Sequence, residues 1–163
     1  MGGRLVKTID IFNKLSLFPY GNKVFTTILC RKAPYFGSIA PTVQDLRPSF
    51  ASATIRNTKK VQNHMGSVHA IAMCNMAELV GGLMTEVSIP SSKRWIPSGM
   101  SVEYLKKAKS DLRAIANGES INWSQEGSAF VPVEIKDTKG DLVFRARIEM
   151  RISTKPSRKN PKD

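Results

Sequence analysis

Residues 63–82, NHMGSVHAIAMCNMAELVGG, decide how this chain folds. Gly66 favours a turn, and Ser67 is placed to cap a helix because its hydroxyl can accept a hydrogen bond from a first-turn amide. The run 68–83 is rich in Ala, Met, Leu and Val, which predicts a helix that is apolar on nearly every side and therefore buried. One carboxylate, Glu78, interrupts this run. Because an unpaired charge is costly to bury, Glu78 is either half-exposed, neutralised by one of the many lysines, or present for a chemical purpose.

Composition predicts a single globular domain. The chain has 163 residues, 41% of them apolar, and its mean hydropathy is -0.22, which is typical of a soluble domain with a proper core. No apolar run approaches the roughly 20 residues that span a bilayer, and the N-terminus lacks the apolar core of a signal peptide. We therefore expect a cytoplasmic protein. Two cysteines and two histidines without a CxxC motif predict reduced thiols and no metal site.

A net charge of +12 favours an anionic partner such as nucleic acid, an anionic membrane surface or a phosphorylated small molecule. Charge alone does not choose among these. A nucleic-acid-binding protein is the alternative from the class of binding modules, but the charge is nearly its whole support, because only 7% of residues are aromatic and no strand presents paired aromatics between basic residues.

The flanking sequence predicts helices before the central helix and strands on both sides of it. The predicted helices are 5–17 and 19–32, and the predicted strands are 37–46, 50–56, 93–107, 111–117, 129–136 and 142–152. The last strand alternates apolar and charged residues, and residues 137–141 join it to its predecessor as a hairpin. The economical arrangement is an α+β fold, in which a curved antiparallel sheet with its strands in succession wraps the long helix. We divide the chain into an N-terminal helical extension (1–34), this domain (35–154) and a basic, disordered tail (155–163).

The spacing of His69 and Glu78 constrains any shared chemistry. His69 is placed near the second helical position, where the helix dipole favours a neutral imidazole or a bound oxyanion. Glu78 follows nine residues later, which on a helix is about 13.5 Å along the axis and half a turn out of phase. The two side chains therefore cannot act on one atom within one subunit. If both are catalytic, the site lies between two subunits and the protein is an obligate dimer.

The spacing Asn63-x5-His69-x8-Glu78, set before four antiparallel strands, resembles the hotdog-fold acyl-CoA thioesterases over about residues 45–153. The most similar subgroup is the phenylacetate-degradation and human acyl-CoA thioesterase type, whose signature reads roughly N-x5-HGG-x6-D/E. The resemblance implies a hotdog fold, a homodimer or a dimer of dimers, and a hydrolase that releases free acid and coenzyme A. It implies no cofactor beyond the coenzyme A of the substrate.

The same resemblance implies roles for four residues. Asn63 would position the thioester or the water, His69 would orient the substrate, and the Ala70 N–H would polarise the thioester carbonyl. Glu78 would reach a substrate held by the other subunit, either to activate water or to attack the thioester directly. Ala70 and Ile71 replace the two glycines of the signature, but an alanine keeps its N–H, so the oxyanion role is preserved.

Two further interpretations stay open. Hotdog 3-hydroxyacyl thioester dehydratases pair a histidine with a glutamate fourteen residues later, which is the spacing of His64 and Glu78, although their usual proline and glycine between the pair are reduced here to Gly66. A non-catalytic acyl-CoA-binding protein would keep the fold without turnover.

The phosphates of coenzyme A suggest a basic rim. Lys106, Lys107 and Lys109, near the end of the first strand after the helix, are the candidates for it, and Lys93 and Arg94 are others. For any single lysine, a solvated charge is the simpler interpretation.

Overall fold

The structure, a computed structural model, describes residues 7–156. Most of the tail predicted for 155–163 therefore lies outside the described residues. The helices are α1 (Thr8–Leu15), α2 (Gly21–Lys32) and α3 (Ala70–Ser88), with short 3₁₀ helices at Pro34–Ile39 and Lys59–Val61. The strands are β1 (Thr42–Arg47), β2 (Phe50–Ile55), β3 (Lys93–Tyr104), β4 (Leu112–Asn117), β5 (Gly127–Asp137) and β6 (Leu142–Thr154).

The six strands form one antiparallel sheet in the order β1-β2-β4-β5-β6-β3. The prediction that the last four strands follow one another in succession is wrong for β3, which pairs with β6 at the edge of the sheet. The physical reason is the path of the chain. After β2, near one edge of the sheet, the chain crosses the sheet as α3 and so reaches the opposite edge, where β3 begins. Strand β4 then returns to pair with β2.

Helix α3 is the core of the domain, as predicted. Met76, Ala77, Val80 and Met84 are fully buried in it. Glycines let the helix approach the sheet closely: a Cβ added at Gly81 would lie 2.9 Å from Ile148 Cδ1. The helix is long and apolar enough to cross a membrane, but 67% of its most apolar window is buried inside the domain, as in the core helix of a globular fold.

The start of α3 differs from the prediction. His69, and not Ser67, is the N-cap residue. Ser67 is buried, and its hydroxyl donates to Asn63 Oδ1 instead of serving the helix. Because the Ser67 hydroxyl is hydrogen-bonded within the turn, it does not cap the helix, which begins later, at Ala70.

The hairpin predicted at residues 137–141 is confirmed, and it joins β5 to β6. The Asp137 carboxylate accepts hydrogen bonds from the backbone N–H groups of Lys139 and Asp141, both at 2.9 Å. Gly140 has a φ of 85°, which favours glycine. Along β6, apolar residues are buried and alternate with exposed arginines.

The two N-terminal helices form a hairpin that packs on β1. The rings of Phe12 and Phe25 meet edge to face, with centroids 5.1 Å apart. The hydroxyl of Thr26 accepts a hydrogen bond from Val43 N–H at 2.9 Å, which fixes α2 to the sheet. Both helices were predicted, with bounds that the structure shortens.

Candidate active site

The turn at residues 63–67 positions the start of α3. Asn63 Oδ1 accepts from the N–H of Met65 (3.0 Å) and from both the N–H (3.3 Å) and the hydroxyl (3.2 Å) of Ser67. Gly66 has a φ of 73°, so the turn favours glycine there. The oxygen of Asn63 is thus committed to the turn, whereas its Nδ2 makes no hydrogen bond to any residue of the described chain.

His69 caps α3 with its ring. Nδ1 accepts a hydrogen bond from Ile71 N–H at 3.1 Å, which requires an unprotonated Nδ1 and assigns the proton of the neutral ring to Nε2. The backbone N–H of His69 donates to Val61 O at 2.8 Å. The imidazole is therefore oriented by its own helix, and its Nε2 makes no hydrogen bond to any of residues 7–156.

The first turn of α3 contains one unused N–H. Ile71 donates to the His69 ring, and Ala72 and Met73 both donate to the His69 carbonyl. Ala70, the first helical residue, has no acceptor among residues 7–156. A first-turn N–H at the positive end of a helix dipole is suited to bind an oxyanion.

A cavity of about 380 Å³ opens beside His69. Its polar lining comes from three segments: Tyr35 and Ser38, Lys60 and Gln62, and the α3 residues His69 and Asn75. Asn75 Nδ2 donates to Tyr35 O (3.2 Å) and Ser38 Oγ (3.1 Å), so it fastens the 3₁₀ helix Pro34–Ile39 to α3. A cavity of this volume is in the size range of small-molecule sites in proteins.

Glu78 belongs to a different surface, between α3 and β3. Cys74 Sγ lies 3.5 Å from Tyr104 Oη, and a Cβ at Gly82 would lie 3.0 Å from Trp95 Cη2. Helix α3 thus runs antiparallel to β3. Glu78, one turn from both Cys74 and Gly82, faces the middle of that strand.

Of the alternatives left open for Glu78, the structure agrees with exposure, because within a single subunit its side chain is exposed. Among residues 7–156 it makes no ion pair or side-chain hydrogen bond. The reason is topological: β3 is the last strand of the sheet, so none of residues 7–156 covers this side of α3.

The surface around Glu78 is apolar and ends at an unpaired strand edge. We define the α3–β3 surface as Ile71, Cys74 and Glu78 with Met100, Val102 and Tyr104. Ile71 is 54% exposed and Tyr104 52% exposed, although both are large side chains. Exposed apolar residues beside a free edge are typical of a subunit interface.

The pKa of the Tyr104 hydroxyl, on this surface, is raised. The larger cause is its hydrogen bond with Cys74, and the smaller is its partial burial.

The structure brings Asn63, His69 and Ala70 together and leaves Glu78 apart from them. Glu78 lies eight positions after Ala70 in the helix, which corresponds to about 12 Å along the axis. His64 lies in the exposed turn before the helix, still farther along the chain from Glu78. The helical rise thus agrees with the prediction that His69 and Glu78 do not act on one atom within a subunit, and the pairing of His64 with Glu78 stays a prediction.

The candidate phosphate-binding lysines follow β3. Val68 N–H donates to Ala108 O at 2.8 Å, which ties this loop to the start of α3. Lys107 and Lys109 flank Ala108 and are exposed, whereas Lys106 is paired with Asp141 at 3.2 Å. Lys93 and Arg94 lie at the opposite end of β3, and Lys93 Nζ donates to Ser124 O at 2.6 Å.

Sequence reasoning missed Asn75, Cys74 and Tyr104. A polar signal existed for Asn75, since an asparagine inside an apolar helix requires hydrogen-bond partners. The contact of Cys74 with Tyr104 depends on the crossing of α3 over the sheet, which local patterns do not encode.

Comparison with known proteins gives a family and a fold. A family model described as a domain of unknown function, DUF4442, matches residues 21–152. The crystal structure of a structural-genomics protein is 43% identical in sequence, with a TM-score of 0.83, and the match covers 91% of this chain and 99% of that one. A search of curated proteins found no significant match.

More distant structures share the fold. A thioesterase from Haemophilus influenzae has a TM-score of 0.72 at 14% identity, over 84% of this chain and 94% of that one. A mutant of a thioesterase from Staphylococcus aureus has a TM-score of 0.66 at 17% identity, over 74% and 98%. At such identities the likeness concerns the fold, and it confirms the predicted hotdog architecture.

Proposed function

Because the chain belongs to the DUF4442 family and has the hotdog fold, we propose that it hydrolyses acyl-CoA thioesters at a site shared by two subunits. The observation that carries this proposal is the unused N–H of Ala70, next to the oriented ring of His69 and the adjoining cavity. A donor aimed at a developing oxyanion is the central requirement of acyl transfer.

The proposed reaction uses groups from both subunits. The thioester carbonyl oxygen accepts a hydrogen bond from Ala70 N–H, while His69 Nε2 and Asn63 Nδ2 hold the substrate. Glu78 of the other subunit removes a proton from water, and the water oxygen attacks the carbonyl carbon. The tetrahedral intermediate collapses, the C–S bond breaks, and coenzyme A leaves as a thiolate that takes up the proton. Direct attack by Glu78 is the covalent variant of this scheme.

A dimer through the α3–β3 surface supports that arrangement. Antiparallel pairing of two β3 edges would satisfy the free strand edge and bury the exposed side chains of Ile71 and Tyr104. A two-fold axis at the interface sets the Glu78 of one subunit against the neighbouring subunit, and so supplies the carboxylate that His69 lacks within its own chain.

Basic side chains near this site could pair with the phosphates of coenzyme A. Lys107 and Lys109 are exposed on the loop tied to the start of α3, and we propose that they meet its phosphates. Lys106 is a weaker candidate, because Asp141 already neutralises it.

Hydrolysis of an acyl-CoA panel, followed by thiol release, tests the proposal. Wild type should turn over at least one short acyl-CoA, and Glu78→Gln should lower kcat by about 10²–10⁴-fold. Glu134→Gln is the matched control, because Glu134 lies on β5, away from α3, and forms a salt bridge with Lys136 at 3.6 Å. Equal rates in wild type and Glu78→Gln would remove the carboxylate from the mechanism. Binding of coenzyme A without any turnover would support the non-catalytic alternative.

A further inference from the structure

The turn between α1 and α2 presents an exposed apolar tip. Leu17 is 81% exposed, Phe18 67% and Tyr20 76%. On α2, Val24 is 46% exposed and Ile28 is 37% exposed. These two residues follow Tyr20 at four-residue spacing, so all three lie on one face. We define these five residues as the hairpin patch. Contiguous exposed side chains of this size mark an interaction site.

Packing of the hairpin does not explain the patch. The buried residues Phe12 and Phe25 form the inner side of the hairpin, and the patch faces away from them. Tyr20 has a φ of 63°, a left-handed conformation in which a glycine or an asparagine would be easier to place. The fold of the turn therefore gives no reason for an aromatic side chain at this position.

The tip is preformed. Phe18 N–H donates to Leu15 O, and Gly21 N–H donates to Phe18 O, both at 3.0 Å. Gly21 packs so tightly that an added Cβ would lie 1.6 Å from Leu15 O. A partner would therefore meet an ordered surface and would not have to fold a loop.

The hairpin that presents the patch is cationic, and Lys14 in the last turn of α1 and Lys23 in the first turn of α2 flank the tip. Residues 7–35 contain five basic side chains, Lys7, Lys14, Lys23, Arg31 and Lys32, but only one acid, Asp10. Among residues 7–156 none of these five cations is in a salt bridge. Lys23 Nζ lies 5.6 Å from the centre of the Tyr20 ring, so one cation sits directly beside the apolar tip.

The hairpin patch is remote from the proposed dimer interface. Helix α2 packs on β1, at one end of the sheet, whereas the free edge of β3 is at the other end. A dimer formed through β3 leaves both hairpin patches uncovered.

We propose that the hairpin patch docks this protein on the surface of an anionic lipid bilayer. Leu17, Phe18 and Tyr20 insert at the level of the headgroups, and Lys14 and Lys23 contact the lipid phosphates. An exposed apolar tip flanked by these two cations, on a hairpin with a net positive charge, is complementary to an anionic bilayer. This peripheral attachment needs no spanning helix and is independent of the proposed hydrolysis.

Vesicle co-sedimentation of the full chain tests the proposal. Wild type should sediment with vesicles of mixed phosphatidylglycerol and phosphatidylcholine, and the bound fraction should fall with salt and without phosphatidylglycerol. The double variant Leu17→Ser/Phe18→Ser should lower the partition coefficient at least about tenfold. Lys14→Glu/Lys23→Glu should remove the dependence on phosphatidylglycerol.

Phe130→Ser is the matched control. Phe130 is an exposed aromatic residue on β5, and the guanidinium carbon of Arg147 lies 4.0 Å from its ring centre. Like the hairpin patch it places an aromatic ring beside a cation, but on a strand away from the hairpin. It should bind vesicles like wild type. Wild type that stays in the supernatant, or equal losses in Phe130→Ser and the hairpin variant, would overturn the proposal. A hairpin variant with an altered oligomeric mass by light scattering would also overturn it, since the patch would then be a subunit contact.

Discussion

Ala70 carries the proposed chemistry through its backbone. The cap formed by His69 uses the N–H groups of Ile71, Ala72 and Met73 and leaves the one before them unused. The sequence could predict this residue only through the resemblance, since an alanine shows no chemistry of its own. His69 was predicted as a site residue, but its role as the cap was not, because Ser67 is the better capping residue by type.

Ala70→Pro removes that N–H and little else. Proline is favoured at the first helical position, and His69 has the extended ψ of 141° that a residue before proline prefers. We expect kcat/KM for acyl-CoA to fall by about 10²–10³-fold, with a melting temperature close to that of wild type.

Ala70→Ser is the control for this change, because serine keeps the N–H and should retain near-wild-type turnover. Steady-state kinetics measures kcat/KM of both variants, and thermal denaturation measures their melting temperatures. Full activity in Ala70→Pro would exclude the Ala70 amide as the oxyanion donor.

Helices and strands were predictable wherever a local pattern specifies them. The alternation along β6 and the length of α3 are examples, since each reflects burial of one face or of all faces. The edge position of β3 was not predictable, because pairing with β6 is a long-range choice. For the same reason the exposure of Glu78 could not be read from the apolar residues around it.

The α1–α2 hairpin depends on Gly21. An alanine Cβ there would overlap the carbonyl oxygen of Leu15, at 1.6 Å, and this backbone atom cannot turn aside as a side chain can. We expect Gly21→Ala to lower the free energy of unfolding by about 3 kcal/mol or more.

Gly37→Ala is the matched control, since its Cβ would meet Cys30 Cβ at an ordinary 3.5 Å. It should change stability by no more than about 0.5 kcal/mol. Urea denaturation followed by circular dichroism compares the two. Equal stability of Gly21→Ala and wild type would show that the hairpin does not adopt the described turn.

At the scale of the whole molecule, one sheet presents two different ends. The β3 end carries Glu78 and an apolar surface, and the β1 end carries the helical hairpin. Sequence spacing predicted that His69 and Glu78 could not meet within a subunit, and the separate surfaces on which they lie agree with that geometry. The site becomes complete only if a second subunit covers the β3 end.

Complementation between two inactive variants tests the shared site most directly. Ala70→Pro and Glu78→Gln homodimers should each be inactive. In a mixed dimer one site carries both changes and the other carries neither. After unfolding and refolding of an equal mixture, random association should restore about a quarter of wild-type acyl-CoA hydrolysis. No recovery in a mixture that demonstrably contains heterodimers would contradict a site built from two subunits.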